Sequence, residues 1–215
     1  MGVLEMGASP AHAVAMTTLA DLRTRIRKDL HDTDSANYRW TDSQLDRHIQ
    51  RALDETSRAM PNESAVTMTA TAGSRDLSLA SIMGLMDVEA AEFPVGQFPP
   101  SYAPFSRWAN TLSLHLDEPP PAEPVKLYCT VQHTLDGSGT TLAGFQEDIV
   151  ATGAAAYAVL DSAANAIDRL ATGGPEVPAQ FLAWARAREI AYKQLLIQHG
   201  RRNRVRVRRT FLPAS

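Results

Sequence analysis

The sequence predicts an α+β protein: a helical core of about four helices, a β-rich insertion between the second and third of them, and an extended C-terminal tail. Three observations point there. Apolar residues recur at helical spacing up to about residue 60 and again beyond about residue 145. Between about 65 and 133 the period drops to two. The last stretch alternates arginine with valine and has no helical stripe.

At 215 residues, 44% hydrophobic and 21% charged, the chain can bury a sizeable core. Residues 1–15 contain Glu5 and no Lys or Arg, unlike the basic start of a signal peptide, and read as a mobile arm or extended contact segment. Residues 16–200 read as the main domain and 201–215 as a basic tail.

The first helix is expected over about 19–32, capped by Thr18, with Leu19, Leu22, Ile26 and Leu30 as its stripe. Arg23, Arg25, Arg27 and Lys28 fill much of its remaining surface and read as a solvated face in preference to a nucleic-acid contact. Asp32 to Asn37 is a polar turn. The second helix, about 42–60, starts with Thr41 at the N-cap and Gln44 three residues on, the capping-box spacing. Leu45, Ile49, Ala52 and Leu53 share its buried face, and Pro61-Asn62 ends it.

Alternation at Val66, Met68 and Ala70 opens the β insertion, about 65–133. Met86–Ala90, Thr111–Leu116 and Val125–Val131 are further strands, the last two expected to pair. The link between that pair, with Pro119, Pro120, Pro121 and Pro124, reads as a stiff exposed hairpin loop suited to a contact. A second irregular loop, 94–104, is surrounded by Phe93, Phe98, Tyr102, Phe105 and Trp108, expected to form a small core beneath it. The third helix, about 145–171, is dominated by small residues from Ala151 to Ala158, which let a neighbouring helix approach closely. After Gly173-Gly174-Pro175 a fourth helix is expected over about 178–199, with Ile190 among its apolar positions and Gly200 as its stop.

The residues that carry chemistry are few. One cysteine, Cys129, sits in an apolar run and excludes both an intrachain disulfide and a cysteine-rich zinc site. Histidines 12, 31, 48, 115, 133 and 199 lack ligand spacing, although His115 and His133 lie in strands that could be neighbours. Asp136–Thr141 is a turn and lacks the Gly-Lys-Ser/Thr ending of a phosphate loop. No nucleophile–base pair, cofactor loop or paired catalytic carboxylates emerge, so no enzyme, metal or cofactor is expected. No apolar run approaches the roughly 20 residues that cross a bilayer, so no membrane partner is expected.

The net charge of −3 conceals an asymmetry: six arginines within 201–209 leave the rest of the chain at −9. If Arg204 to Arg208 is extended, Arg204, Arg206 and Arg208 face one side and Val205, Val207 and Phe211 the other. That is the pattern of a segment adding to another chain's sheet edge, with arginines left for acidic protein or phosphate.

The stretch Trp40-Thr41-Asp42, Leu45, Ile49, Ala52, Leu53 resembles the opening of the head–tail adaptor proteins of tailed bacteriophages. Phe93–Pro100, Gln132–Asp136 and Glu147–Ala154 are similar to segments of the same family, and the resemblance spans about residues 16–200. It implies a structural protein of the virion neck, assembled in the host cytoplasm as a ring, typically of twelve copies, on the portal protein. Such a ring extends the channel for packaged DNA and receives a downstream neck or tail protein. On this reading Arg201, Arg202, Arg204, Val205, Arg206, Val207, Arg208, Arg209 and Phe211 meet the portal or a neighbouring subunit, and the proline loop meets the next component. The Trp40 helix is scaffold. A DNA-binding protein using the arginine tail is the alternative.

Overall fold

The computed structural model describes residues 17–166 and 176–204. The arm, the Gly173–Pro175 break and residues 205–215 of the tail lie outside the described residues. The chain runs α1 (Leu19–Asp29), α2 (Asp42–Ala59), β1 (Asn62–Thr69), β2 (Asp76–Ser78), β3 (Leu85–Glu92), β4 (Phe105–Trp108), β5 (Thr111–Leu114), β6 (Pro124–Val131), α3 (Gly144–Ala166) and α4 (Glu176–Arg204). It is an α+β fold with all its strands between the second and third helices.

The helices start where side chains can satisfy their free N–H groups. Thr18 caps α1 in a reciprocal box with Asp21, and Thr41 caps α2 in one with Gln44. Leu22, Ile26, Leu45, Ile49, Ala52 and Leu53 turn inward against Ile149, Val150 and the alanines of α3. The small side chains have the predicted consequence. A Cβ added to Gly153 would stand 2.8 Å from the ring of Tyr192 on α4, so the missing side chain is what admits that ring.

Gly200 is a correction. It lies inside α4, four residues before the last helical residue, and does not stop the helix. Its reason for being glycine is contact: a Cβ there would lie 3.0 Å from the carbonyl oxygen of Ala59 at the end of α2.

The strands form two three-stranded antiparallel sheets, β1-β6-β3 and β2-β5-β4. Both contribute to a second core containing Val88, Ala91, Leu112, Leu114, Val125 and Leu127. The expected pairing of 111–116 with 125–131 is therefore wrong, because β5 pairs with β4 and β2 while β6 takes β1 and β3. β4 and β5 are joined by the two-residue turn Ala109-Asn110, with Ala109 at φ 52°. That short link makes the local hairpin, and the proline segment becomes a crossing between sheets.

β6 runs from Pro124, opposite Thr69, to Val131, opposite Asn62. Asn62 follows α2 directly and Val131 leads towards α3, so this end of the sheet adjoins the helices. The other end stands away from them by the length of an eight-residue strand, about 26 Å.

Candidate functional site

Three surfaces deserve comparison: the Trp40 helix start, the far end of the β unit, and the outer faces of α2 and α4.

At the first, the polar residues around Trp40 are consumed by the fold. The Trp40 ring is buried and its Nε1–H donates to the Ala158 carbonyl at 3.1 Å. Arg27, also buried, donates to Asp32 at 2.7 Å, to the Trp40 carbonyl at 2.9 Å and to Asp42 at 2.7 Å. The hydrogen bond from Arg27 is the main cause holding the Asp42 carboxyl below its usual range. Arg23 pairs with Asp42 and Asp46, and Arg25 with Asp148. The expected solvated arginine face is thus corrected. These side chains tie α1 to the α2 start and to α3, because burying Arg27 requires every donor to find an acceptor.

At the far end of the β unit two irregular segments meet solvent. The proline crossing is fastened to the β1–β2 link: Gly73 N–H donates to Pro120 O at 3.2 Å and Ala70 N–H to Glu123 O at 2.9 Å. The Arg75 guanidinium donates to the carbonyls of Leu116 and Asp117. Pro120 is consequently buried, while Pro119, Pro121 and Pro124 are exposed. From the same end, beyond Glu92, projects the loop closed by Phe93 N–H to Ser101 O and by the Glu92–Tyr102 bridge. Its Phe98 is 98% exposed. The expected aromatic core under this loop is therefore wrong. Phe93 and Phe105 join the second core, Tyr102 faces Tyr128, and Trp108 points to solvent on β4. Sequence reasoning missed Phe98 as a surface residue, although its neighbours Gln97, Pro99 and Pro100 offered it no strand partner.

On α2 a cleft of about 410 Å³ is lined by Arg47, His48, Arg51, Tyr157, Leu160, Asp161 and Glu189. His48 is buried and its Nε2 makes no hydrogen bond, lying 3.6 Å from Asp161. Burial, with help from the Arg47 charge, holds its pKa below the ordinary histidine value. Beside it Glu55 accepts from Tyr157 and Lys193, each at 2.8 Å, and Arg51 stacks 3.8 Å over the Tyr157 ring. These contacts link α2, α3 and α4; they present no nucleophile with a base.

The remaining histidines are separate. His133 is buried, held by Thr141 Oγ1 at 3.0 Å and by the Met60 carbonyl at 2.9 Å, whereas His115 is exposed beside Ser106. Neither lies in a strand, His115 following β5 and His133 following β6, and their partners are different: Ser106 on β4 for the first and the end of α2 for the second. Among the described residues no group of three or more His, Cys, Asp or Glu side chains is placed to hold a metal ion. Among them no helix is long and apolar enough to cross a membrane.

The outer face of α4 is unusual for a surface helix. Ala183, Ala187, Ile190, Gln194 and Ile197 follow one another at steps of four and three, all exposed, and none is charged. Ile190 and Ile197 are 58% and 54% exposed, while Ala185 and Tyr192 bury the opposite face. Such 3-4 spacing is the seam of one helix packing along another. The sequence names Ile190 only as one of the helix's apolar positions; the spacing itself was the available signal for a second, outer row.

Of the expected contact residues, Arg201, Arg202 and Arg204 fall on the last turn of α4, so Arg204 ends a helix and does not begin a strand. Val205, Arg206, Val207, Arg208, Arg209 and Phe211 lie outside the described residues.

Comparison with known proteins gives one family. The model of the family described as SU10 adaptor protein matches residues 17–209. Among solved structures, one described as "Neck of empty GTA particle computed with C6 symmetry" matches with a TM-score of 0.30 and 15% identity, covering 83% of this chain and 93% of that one. No curated protein matches.

Proposed function

The chain belongs to the SU10 adaptor protein family, and on that premise we propose that it is a structural adaptor of the neck of a phage-like particle. The observation that carries this is the family match over residues 17–209, which spans every described residue. In this role it assembles with copies of itself into a ring of twelve, between the portal protein and the next neck or tail protein. Packaged DNA passes through the ring, and assembly takes place in the host cytoplasm.

The uncharged outer seam of α4 supports self-association, since an exposed row of Ile and Ala at helix-packing spacing is stabilised by covering it. The far end of the β unit, with Phe98, Pro119 and Pro121, is the surface for the downstream component. It stands clear of the helices and carries a large apolar side chain already stripped of neighbours. The arginines of 201–209 meet the portal or the neighbouring subunit.

Light scattering and particle imaging, alone and with the portal, test the reading, together with proteomics of purified virions. A ring, or a ring formed only on the portal, is the expected result. A chain that stays monomeric, ignores the portal and is absent from virions sinks it. Steeply salt-dependent binding of the monomer to duplex DNA would instead favour the DNA-binding alternative.

A further inference from the structure

We propose that the cleft between the end of α1 and the first turns of α4 receives the outer seam of α4 from a second copy, joining copies head to tail, an inference that rests on the adaptor reading above.

The cleft arises where α1 stops. Its C-cap is Leu30, the Asp32 N–H returns to the Arg27 carbonyl, and His31 takes φ 53°, which turns the chain away. A concavity of about 380 Å³ is left between Leu30 and His31 on one side and Phe181, Trp184 and Arg188 of α4 on the other. Phe181 is 42% exposed and Trp184 37%. The charges at its rim already answer one another. Arg188 donates to Asp29 at 2.9 Å, and its guanidinium lies 4.9 Å from the Trp184 ring centre. Two neighbouring aromatic rings beside a satisfied arginine are the composition of an interface anchor.

The other exposed aromatic side chains of the helical layer, among the described residues, have partners of their own. The Arg27 guanidinium lies 3.5 Å over the Tyr38 ring, and Phe145 meets His199 at 5.2 Å. Met83, Phe98 and Trp108 belong to the β unit.

The occupant follows from the seam and from symmetry. Ala183, Ala187, Ile190, Gln194 and Ile197 form a convex, uncharged row, which suits a concavity whose own charges cancel. A seam packed on a second seam is a two-fold contact, using one patch on both subunits, and it ends at a dimer. A ring needs two different patches on each subunit. α4 carries both. Phe181 and Ile190 are nine residues apart, about 900° of helical rotation, which leaves them half a turn apart on opposite sides of the helix. Trp184 and Ile197 are thirteen residues apart and differ by about 140°. One copy can therefore hold the seam of one neighbour in its cleft while its own seam enters the cleft of the next. Ile190 and Ile197 are the side chains that enter, against Phe181 and Trp184.

Cysteine pairs in a Cys129→Ser background test this on the full chain, alone and with the portal. Gln180 lines the cleft, and Gln194 lies exposed on the seam. They are fourteen residues apart on one helix, about 21 Å, and a disulfide spans at most about 7 Å between Cα atoms, so any bond between them joins two chains. Gln180→Cys with Gln194→Cys should give a ladder of covalent multimers on a non-reducing gel, and either cysteine alone should give none. Trp184→Ala and Ile190→Glu should each weaken self-association at least about tenfold by sedimentation, with helical circular dichroism unchanged. In a Trp108→Phe background, acrylamide should quench Trp184 in the monomer and lose access to it on assembly. Cross-linking by Gln194→Cys alone reveals a seam-on-seam dimer and overturns the assignment. Trp184 shielded already in the monomer overturns it as well, because the chain then covers its own cleft. A ring that gives no ladder, and that Trp184→Ala leaves intact, overturns the cleft and keeps the adaptor reading. A chain that stays monomeric with and without the portal overturns both.

Discussion

Replacing Gly153 by alanine tests how the helical layer is packed. Alanine is the better helix former, by about 0.8–1.0 kcal/mol, so at an open position the change would stabilise α3. Here the added Cβ meets Cε2 and Cζ of Tyr192 at 2.8 Å and Cδ2 at 2.9 Å. Ordinary carbon contacts lie at about 3.5–4.0 Å, so something has to move by roughly 1 Å. The Tyr192 ring is poorly placed to do so. It is 0% exposed, its hydroxyl donates to the Ala52 carbonyl at 2.9 Å, and it meets Tyr157 edge-on at 6.0 Å. Burial pushes that hydroxyl well above the usual tyrosine range, so it remains a donor. Overpacking a rigid site costs about 1–3 kcal/mol, which after the helix-propensity gain leaves a net loss of up to about 2 kcal/mol in place of a gain. Urea denaturation at fixed protein concentration, followed by helical circular dichroism and by the fluorescence of buried Trp40, measures it. In a Tyr192→Leu background the same substitution should become neutral or mildly stabilising, because the ring it struck has gone. If Gly153→Ala raises stability by its full propensity with Tyr192 in place, the close approach of α3 and α4 has been misread.

Two further outcomes follow from the buried polar groups. Arg27→Met leaves Asp32, 4% exposed, without its ion partner and should cost about 3–5 kcal/mol, most of it recovered in Arg27→Met with Asp32→Leu; a loss under about 1 kcal/mol in the single variant contradicts the buried pair. Burial holds both His48 and His133 below the ordinary histidine value, with Arg47 adding to the effect at His48. As pH falls below about 6.5 the unfolded chain therefore takes up protons that the folded chain resists, so the denaturation midpoint should drop from pH 7.5 to 5.5. A midpoint that is flat or rises on acidification over that window excludes the assignment.

Local chemistry was readable and long-range pairing was not. The caps at Thr18 and Thr41 and the stripe Leu45, Ile49, Ala52, Leu53 depend on neighbours within four residues, and the structure has them as expected. The partner of β6 is set by residues far away in the chain, β1 about sixty residues earlier and β3 about forty, and several alternating segments offer the same pattern. A two-residue turn at Ala109-Asn110 settles β5 in favour of β4, a choice hidden by the stronger appearance of the proline segment. Gly200 shows the same limit. Glycine after an apolar run is the usual mark of a helix end, but the close approach of Ala59 from another helix accounts equally well for it. Arg27 looks like any helix-surface arginine until Asp32 and Asp42 converge on it. Of the candidate contact surfaces, the proline segment was visible by composition, whereas Phe98 and the α4 seam needed the knowledge of which face was already occupied.

The division of labour between the two cores bears on how such a chain can serve as an adaptor. The helical core is fixed by side chains that leave little slack: Gly153 on Tyr192, Gly200 on Ala59, and Trp40 bonded to Ala158. The β core is separate, and its far end is built from irregular segments pinned by backbone hydrogen bonds around Pro120 and Ser101. Substitutions at Phe98, Pro119 or Pro121 therefore alter a surface without touching either core, since these side chains are exposed. Changes along Ala183, Ile190 and Ile197 likewise spare the cores, yet they act on a rigid helix whose opposite face is locked by Ala185 and Tyr192. A contact made on that seam is transmitted directly to the helical layer, whereas one made at Phe98 reaches it only through eight residues of strand. In the proposed ring this places the subunit–subunit contact on the stiff layer and leaves the downstream contact on the part most free to vary with its partner.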